Sequence, residues 1–188
     1  MPVLPIRITG DPVLHSPALE VTDFGPELQQ LVADMFETME QAPGVGLAAP
    51  QVGVGLRVFV YNWVDEDDTL WRGVAINPSL LISPTTTEEL DEDEEAEGCL
   101  SIPGERYGLR RAERAVLHAT DLDGAEFKID AHGWLARIFQ HEFDHLNGVL
   151  YADRLDAVSA HSMAKVIKKA KWGVPGNSWM PGEDDLEA

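Results

Sequence analysis

The sequence predicts an α+β fold in which mixed or antiparallel sheets pack around one central helix. Two observations indicate this class. Short apolar runs of strand length gather before the main amphipathic helix, and the chain lacks the strand–helix alternation of a doubly wound sheet. The chain has 188 residues, and we expect one domain over 1–171 and an irregular acidic tail over 172–188.

The first elements are predicted from periodicity. A helix is expected to begin at Pro26 and to end at QAPG, because five apolar residues recur at helical spacing: Leu28, Leu31, Val32, Met35 and Met39. Strands are predicted from the apolar runs at 57–63, 73–83, 114–120 and 125–131. The last two runs flank the turn sequence DLDG and are expected to form a hairpin.

The main helix is predicted between a capping Asp130 and Gly148. Four of its side chains are spaced four, three and four apart and therefore share one face: Trp134, Ile138, His141 and His145. Because this stripe is largely apolar, both histidines are expected to point into the protein. A third helix is predicted over roughly 157–171.

Charge and composition exclude several classes of protein. The net charge of −19 argues against DNA as a partner, and no stretch approaches the roughly 18 apolar residues of a membrane span. Glu88 to Glu97 holds eight acids in ten residues and is expected to be a solvated loop. The first residues do not resemble a signal or transit peptide, and Cys99 is the single cysteine, so a cytoplasmic location is expected.

The sequence HEFDH at 141–145 is typical of a metal site. Histidines four apart on a helix can bind one ion, and Glu142 is close enough to act on a water beside it. Two inward-facing histidines can equally be core residues bonded to the backbone. A catalytic site of this type takes three protein ligands, so the metal interpretation requires one more.

Cys99, within EGCLS, is the strongest candidate for the third ligand. The extended protease pattern would place a histidine where Tyr151 stands, and no glutamate occurs between Glu142 and Glu183. His161 is more typical of a solvated helix face. The candidate set is therefore Cys99, His141, His145 and one water, although a lone cysteine is often only a small buried hydrophobe.

A glycine-rich stretch, PGVGLAAPQVGVG at 43–55, lacks the ending of a phosphate loop. Its small residues, followed by Gln51, indicate backbone packed closely against a ligand, with one side-chain amide as a donor. A tight structural turn is the alternative interpretation.

Together these stretches resemble the three signature motifs of the peptide deformylase family, in its bacterial type. The chain carries GVGLAAPQ at 44–51, EGCLS at 97–101 and QHEFDHLNG at 140–148, in the family's order. The resemblance covers roughly residues 3–170 and implies hydrolytic removal of the formyl group from N-terminal formylmethionine, with release of formate.

The resemblance also implies roles for individual residues. Cys99, His141 and His145 would bind one Fe(II) ion, which Zn, Ni or Co can replace, and Glu142 would be the general acid and base. The side-chain amide of Gln51 and the N–H of Leu100 would stabilise the oxyanion. Substrate would contact four positions: Val45, Gly46, Leu100 and Arg106. Glu97, paired with Arg111, is expected to support a ligating imidazole.

Partners and rival functions complete the expectations. The implied substrates are formylmethionyl nascent peptides, and the ribosome is a candidate partner through a basic patch on the third helix: Lys165, Lys168, Lys169 and Lys171. A solvated helix face is the simpler explanation of that patch. The two rival functions are a metallopeptidase and a closed structural metal site.

Overall fold

The computed structural model describes residues 2–87, 90–92, 94–184 and 186. In these residues the chain forms, in order, β1 (Ile6–Arg7), α1 (Pro26–Gln41), β2 (Gly46–Ala48), β3 (Val58–Val64), β4 (Leu70–Ile82), β5 (Ala96–Cys99), β6 (Ile102–Gly108), β7 (Arg114–Thr120), β8 (Glu126–His132), α2 (Gly133–Leu146), α3 (Ala157–Ala170) and β9 (Ser178–Trp179). Short 3-10 helices lie at Pro12–His15, Ala49–Val52 and Tyr151–Arg154. The architecture is α+β, as predicted.

The largest sheet is antiparallel throughout, with the strand order β2-β3-β4-β7-β8. The predicted hairpin is confirmed as β7 and β8. In β4 the register shifts between Ile76 and Ser79, and Asn77 adopts a φ of 49° there. The side chain of Asn77 accepts from Val21 N–H and donates to Val21 C=O, so this irregularity is tied to the N-terminal segment.

The sheet separates two apolar cores because strand side chains alternate between its faces. Val58 and Val60 of β3 pack with α1, whereas Phe59 and Tyr61 pack with α2. The predicted apolar positions of α1 line the first core, and α1 begins and ends where the sequence placed it. The face of α2 toward the sheet holds Leu135, Ala136, Ile138 and Phe139.

The start of α2 differs from the prediction. His132 occupies the N-cap position without a side-chain cap bond, and Asp130 lies in β8, where it accepts from Arg114 at 2.7 and 2.6 Å. The other end agrees with the prediction, since Gly148 follows the helix with a φ of +72°. A Cβ at Gly148 would lie 2.7 Å from the backbone nitrogen of Ser16, so close packing also requires glycine.

Two charged segments are more ordered than expected. The acidic run 88–97 is not all solvated loop, because Ala96 and Glu97 belong to β5 and Glu97 is buried; residues 88, 89 and 93 lie outside the described part. In the tail, Ser178–Trp179 forms β9 and pairs with β1. Among the described residues, no helix is long and apolar enough to cross a membrane.

Candidate metal centre

The structure brings the three predicted ligands together. Cys99 ends β5, while His141 and His145 lie one turn apart on α2, and all three are buried. Their donor atoms lie within 4.8 Å of one another. Sγ of Cys99 is 3.3 Å from Nε2 of His145, which is 3.2 Å from Nε2 of His141. One thiolate and two imidazoles fit a divalent ion such as iron or zinc.

Glu97 holds His141 from the other side of its ring. The carboxylate lies 2.7 Å from Nδ1 of His141, which leaves Nε2 directed at the other donors. The expected pair with Arg111 is present, at 3.0 and 2.7 Å. Burial would raise the pKa of Glu97, but His141 and Arg111 outweigh it and hold that pKa well below its usual range.

Two further charged residues that the sequence analysis did not predict join the hydrogen-bond network around Glu97 and Arg111. Arg137, one turn before His141 on α2, donates to Glu97 at 3.1 Å. Asp144, inside the HEFDH motif itself, accepts from Arg111 at 2.6 Å and also from Arg154. Their helical spacing from the histidines was the available signal. The network joins β5, the segment after β6 and both sides of α2.

The two imidazoles differ electrostatically. Burial lowers the pKa of His141, but Cys99 and Glu97 outweigh burial and hold it well above its usual value. Burial, followed by the charge of His141, holds the pKa of His145 well below its usual value. Metal binding requires neutral imidazoles and a deprotonated thiol, so an ion here would displace protons.

Glu142 lies against the backbone of β2. A Cβ at Gly46 would be 2.4 Å from Oε1 of Glu142, so only glycine leaves room for this carboxyl. Its Oε2 is buried and has no hydrogen-bond partner among the described residues. Burial raises the pKa of Glu142 to about 7, a value suited to a group that both takes and gives a proton near neutral pH.

Gln51 and Leu100 flank the same donors. Oε1 of Gln51 accepts from Ala48 N–H at 2.8 Å, which turns Nε2 toward Sγ of Cys99 at 3.8 Å and Oγ of Ser101 at 3.4 Å. Leu100 directly follows Cys99 in the turn between β5 and β6. An amide and a peptide N–H are thus held beside the three candidate metal ligands.

One cavity of about 350 Å³ opens onto this cluster. It is lined by all of the predicted catalytic, metal-binding and substrate-contacting residues except His145: Val45, Gly46, Gln51, Cys99, Leu100, Arg106, His141 and Glu142. Trp63 and Trp134, which sequence reasoning missed as wall residues, also line it, and their rings lie 6.1 Å apart. Trp134 remains 40% exposed, so the predicted inward stripe of α2 reaches the surface at this point.

Known proteins are similar to this chain in sequence and in fold. A family profile described as polypeptide deformylase matches residues 3–161. The chain is 50% identical to a peptide deformylase of Tropheryma whipplei (strain TW08/27), over 96% of this chain and 94% of that one. The chain belongs to the peptide deformylase family. This confirms the family predicted from the three motifs, and with it an enzyme that removes the formyl group from N-terminal formylmethionine.

Solved peptide deformylase structures agree with this membership. One from Legionella pneumophila has a TM-score of 0.77 and 38% identity, covering 90% of this chain and 96% of that one. Another, from Synechococcus elongatus in complex with actinonin, has a TM-score of 0.77 and 37% identity and covers 94% of both chains. Substrates of this family are formylated nascent peptides, as the motifs implied.

Proposed function

We propose that this chain hydrolyses the formamide bond of N-terminal formylmethionine with one divalent metal ion held by Cys99, His141 and His145. One observation carries the proposal: the donor atoms of these three residues lie within 4.8 Å of one another, and two of them, Cys99 and His141, line one cavity together with Glu142. The proposed ion is Fe(II), with Zn, Ni or Co as substitutes, because a thiolate and two imidazoles suit all of them. Helix α2, which bears His141, Glu142 and His145, is the proposed centre of the fold.

Glu142 is the proposed proton carrier. A bound ion would supply Lewis acidity and lower the pKa of a water molecule. Glu142 takes the proton of the attacking water and later delivers it to the departing methionyl amine, so that formate and a free N-terminus result. A pKa of about 7 allows both transfers near neutral pH.

Gln51 and Leu100 are the proposed oxyanion donors. As water attacks, negative charge develops on the former formyl oxygen, and the Nε2 amide of Gln51 and the N–H of Leu100 donate to it. One donor of this kind is worth about 2.7–4 kcal/mol in the transition state. The Gln51 amide is already oriented by its bond to Ala48.

The remaining cavity residues have proposed substrate contacts. Val45 and Gly46 would hold the peptide backbone, and Arg106 would contact the outer end of the substrate. A cavity of about 350 Å³ with apolar walls suits a methionine side chain better than a folded protein surface. The proposed catalytic domain spans residues 1–171, and residues 172–188 form the proposed C-terminal tail.

Ribosome contact stays a prediction. The lysines at 165, 168, 169 and 171 are all exposed at the end of α3. If they touch ribosomal RNA, binding should weaken steeply with added salt. The proposed site of action is the cytoplasm, where formylated chains leave the ribosome.

The test of the proposed function is formate release from formyl-Met-Ala-Ser by iron-loaded protein under anaerobic conditions, with the metal content measured. We expect rapid release by the parent and a loss of several orders of magnitude in Glu142→Gln with metal retained. Glu113→Gln, which removes an exposed carboxylate, is the matched control and should keep full activity. A fully metallated parent that releases no formate, or that cleaves the Met-Ala bond instead, would exclude this function.

A further inference from the structure

The turn Leu100–Ser101 between β5 and β6 is held from outside its own hairpin. The carbonyl of Leu100 accepts a hydrogen bond from Nε1 of Trp179 at 2.8 Å. The next carbonyl, of Ser101, accepts from the backbone N–H of Thr9 at 2.8 Å. Both carbonyls of the turn that follows Cys99 are therefore fixed by the two ends of the chain.

Trp179 is itself rigidly placed. Its side chain is only 3% exposed and packs in the apolar core on the α1 side of the sheet. Its backbone pairs with Ile6 in the β1–β9 ladder, and Ile8 N–H donates to Asn177 C=O at 3.0 Å. Because packing and strand pairing both hold Trp179, its indole N–H has a well-defined position and direction.

The N–H of Leu100 is available to a ligand. Within the described part of the chain no protein acceptor receives this N–H. The hairpin register shifts between Gly98 and Cys99, so the regular ladder does not determine where the turn amides point. The Leu100 carbonyl shares a peptide plane with the N–H of Ser101, and the Leu100 N–H lies in the preceding plane, which φ and ψ of Leu100 link to it. A hydrogen bond that fixes the Leu100 carbonyl therefore restrains the Leu100 N–H through these two torsions.

We propose that Trp179 is a positioning residue for the deformylation reaction: its indole N–H holds the Leu100 carbonyl so that the Leu100 N–H stays aimed at the developing oxyanion. This inference rests on the proposed role of Leu100. It gives residues of the tail a part in catalysis without contact with substrate. Trp179 does not line the cavity, so its substitution leaves substrate contacts in place.

The experiment compares Trp179→Phe with Trp172→Phe. Both changes remove an indole from the C-terminal segment, but the half-buried Trp172 bonds no described residue through its indole N–H. We expect kcat for formyl-Met-Ala-Ser to fall about tenfold in Trp179→Phe with KM within about twofold, because only transition-state alignment is lost. Trp172→Phe should keep kcat within about twofold.

A second measurement follows the hydrogen bond directly. In the zinc-loaded protein, the amide resonances of Leu100 and Ser101 should move in Trp179→Phe and stay unchanged in Trp172→Phe. Should Trp179→Phe fail to fold, 3-benzothienylalanine at position 179 keeps the ring shape and removes only the N–H donor.

The possible results distinguish the positioning role of Trp179 from the proposed deformylase function. Unchanged kcat in an active variant whose Ser101 amide has moved overturns the positioning role and leaves the proposed function intact. A rise in KM with kcat retained also overturns it, since that pattern indicates lost ground-state binding. A metallated parent without deformylase activity overturns the proposed function and this inference with it.

Discussion

At position 97 one buried carboxylate accepts from two guanidinium groups and faces one imidazole. Glu97 is 4% exposed and contacts Arg111, Arg137 and His141. Burying a charge is costly unless it is paired and hydrogen-bonded, and here both oxygens have partners. The three partners leave the carboxylate little rotational freedom, so it fixes the ring plane of His141. The orientation of one candidate ligand is thus determined by residues up to 44 positions away in sequence.

Gly46→Ala should strongly reduce catalysis. The added Cβ would lie 2.4 Å from Oε1 and 2.8 Å from Cδ of Glu142, so the buried carboxyl must move. We expect kcat/KM to fall by about a hundredfold or more, since small displacements of a catalytic group have effects of this size. Formate release and thermal unfolding measure the effect on activity and on fold separately.

Gly55→Ala is the matched control for this substitution. A Cβ there would meet its nearest neighbour, Cγ2 of Val13, at 3.9 Å, which is ordinary contact. The control should keep activity close to the parent value. Full activity in Gly46→Ala would show that the carboxyl of Glu142 has room to move and need not lie against β2.

Among the secondary-structure elements, the sequence predicted those whose position depends on local residue patterns. Helix α1 and the β7–β8 hairpin follow from 3.6-residue spacing and from the DLDG turn, and both are present. Asp130 was assigned to the helix cap because its type favours caps, but in the structure it lies in β8, pairs with Val116 of β7 and accepts from the side chain of Arg114. Short strands such as β2 and β9 carry too few residues to show a period, and their pairing partners are distant.

The candidate site likewise contains residues that local sequence motifs predict and residues that only tertiary packing defines. The predicted residues of the site lie in three motifs, each of which is a continuous stretch of sequence. The motifs therefore placed Cys99, His141 and Glu142 in one set before the structure was known. Arg137, Asp144 and Trp179 were not predicted, because what they do depends on which element packs beside them. An arginine or tryptophan in a helix or tail has no local signature that distinguishes it from a surface residue.

The start of α3 supports a prediction about pH. Oδ1 of Asp156 accepts from the N–H groups of Val158 and Ser159, and Oδ2 accepts from the Ser159 hydroxyl. These bonds, the hydroxyl of Ser159 first, lower the pKa of Asp156. A lowered pKa stabilises the fold above the unfolded-state value, and this contribution is lost as pH falls through the folded-state value.

Asp156→Ala should therefore lower the free energy of unfolding at pH 7, and the difference from the parent should shrink below about pH 4. Urea unfolding at pH 7, 5, 4 and 3 measures this convergence. Glu20→Ala removes an exposed carboxylate that caps no helix, and its difference from the parent should stay small throughout. A parent–variant difference for Asp156 that is constant with pH would contradict the role of the ionised cap.

At the scale of the whole molecule, the candidate ligands join parts of the chain that otherwise belong to different sheets and cores. Cys99 lies on β5 of the β5–β6 hairpin, and both histidines lie on α2, which packs on the largest sheet. The ion-pair network around Glu97 and Asp144 crosses the same boundary. The net charge of −19 adds self-repulsion that such links must oppose.

A bound metal should accordingly stabilise the entire fold, since Cys99 is more than 40 residues from both histidines in the unfolded chain. An ion that binds only the folded state at one hundred times its Kd adds about 2.7 kcal/mol. For a chain of this size that corresponds to a rise in Tm of about 5–10 °C. Calorimetry of chelator-treated protein, before and after Zn²⁺ is restored, measures the shift, and Cys99→Ser should lose most of it. Glu142→Gln should retain the full shift, because a proton carrier is not a ligand; loss of the shift in Glu142→Gln with Cys99→Ser unaffected would reverse the two assignments.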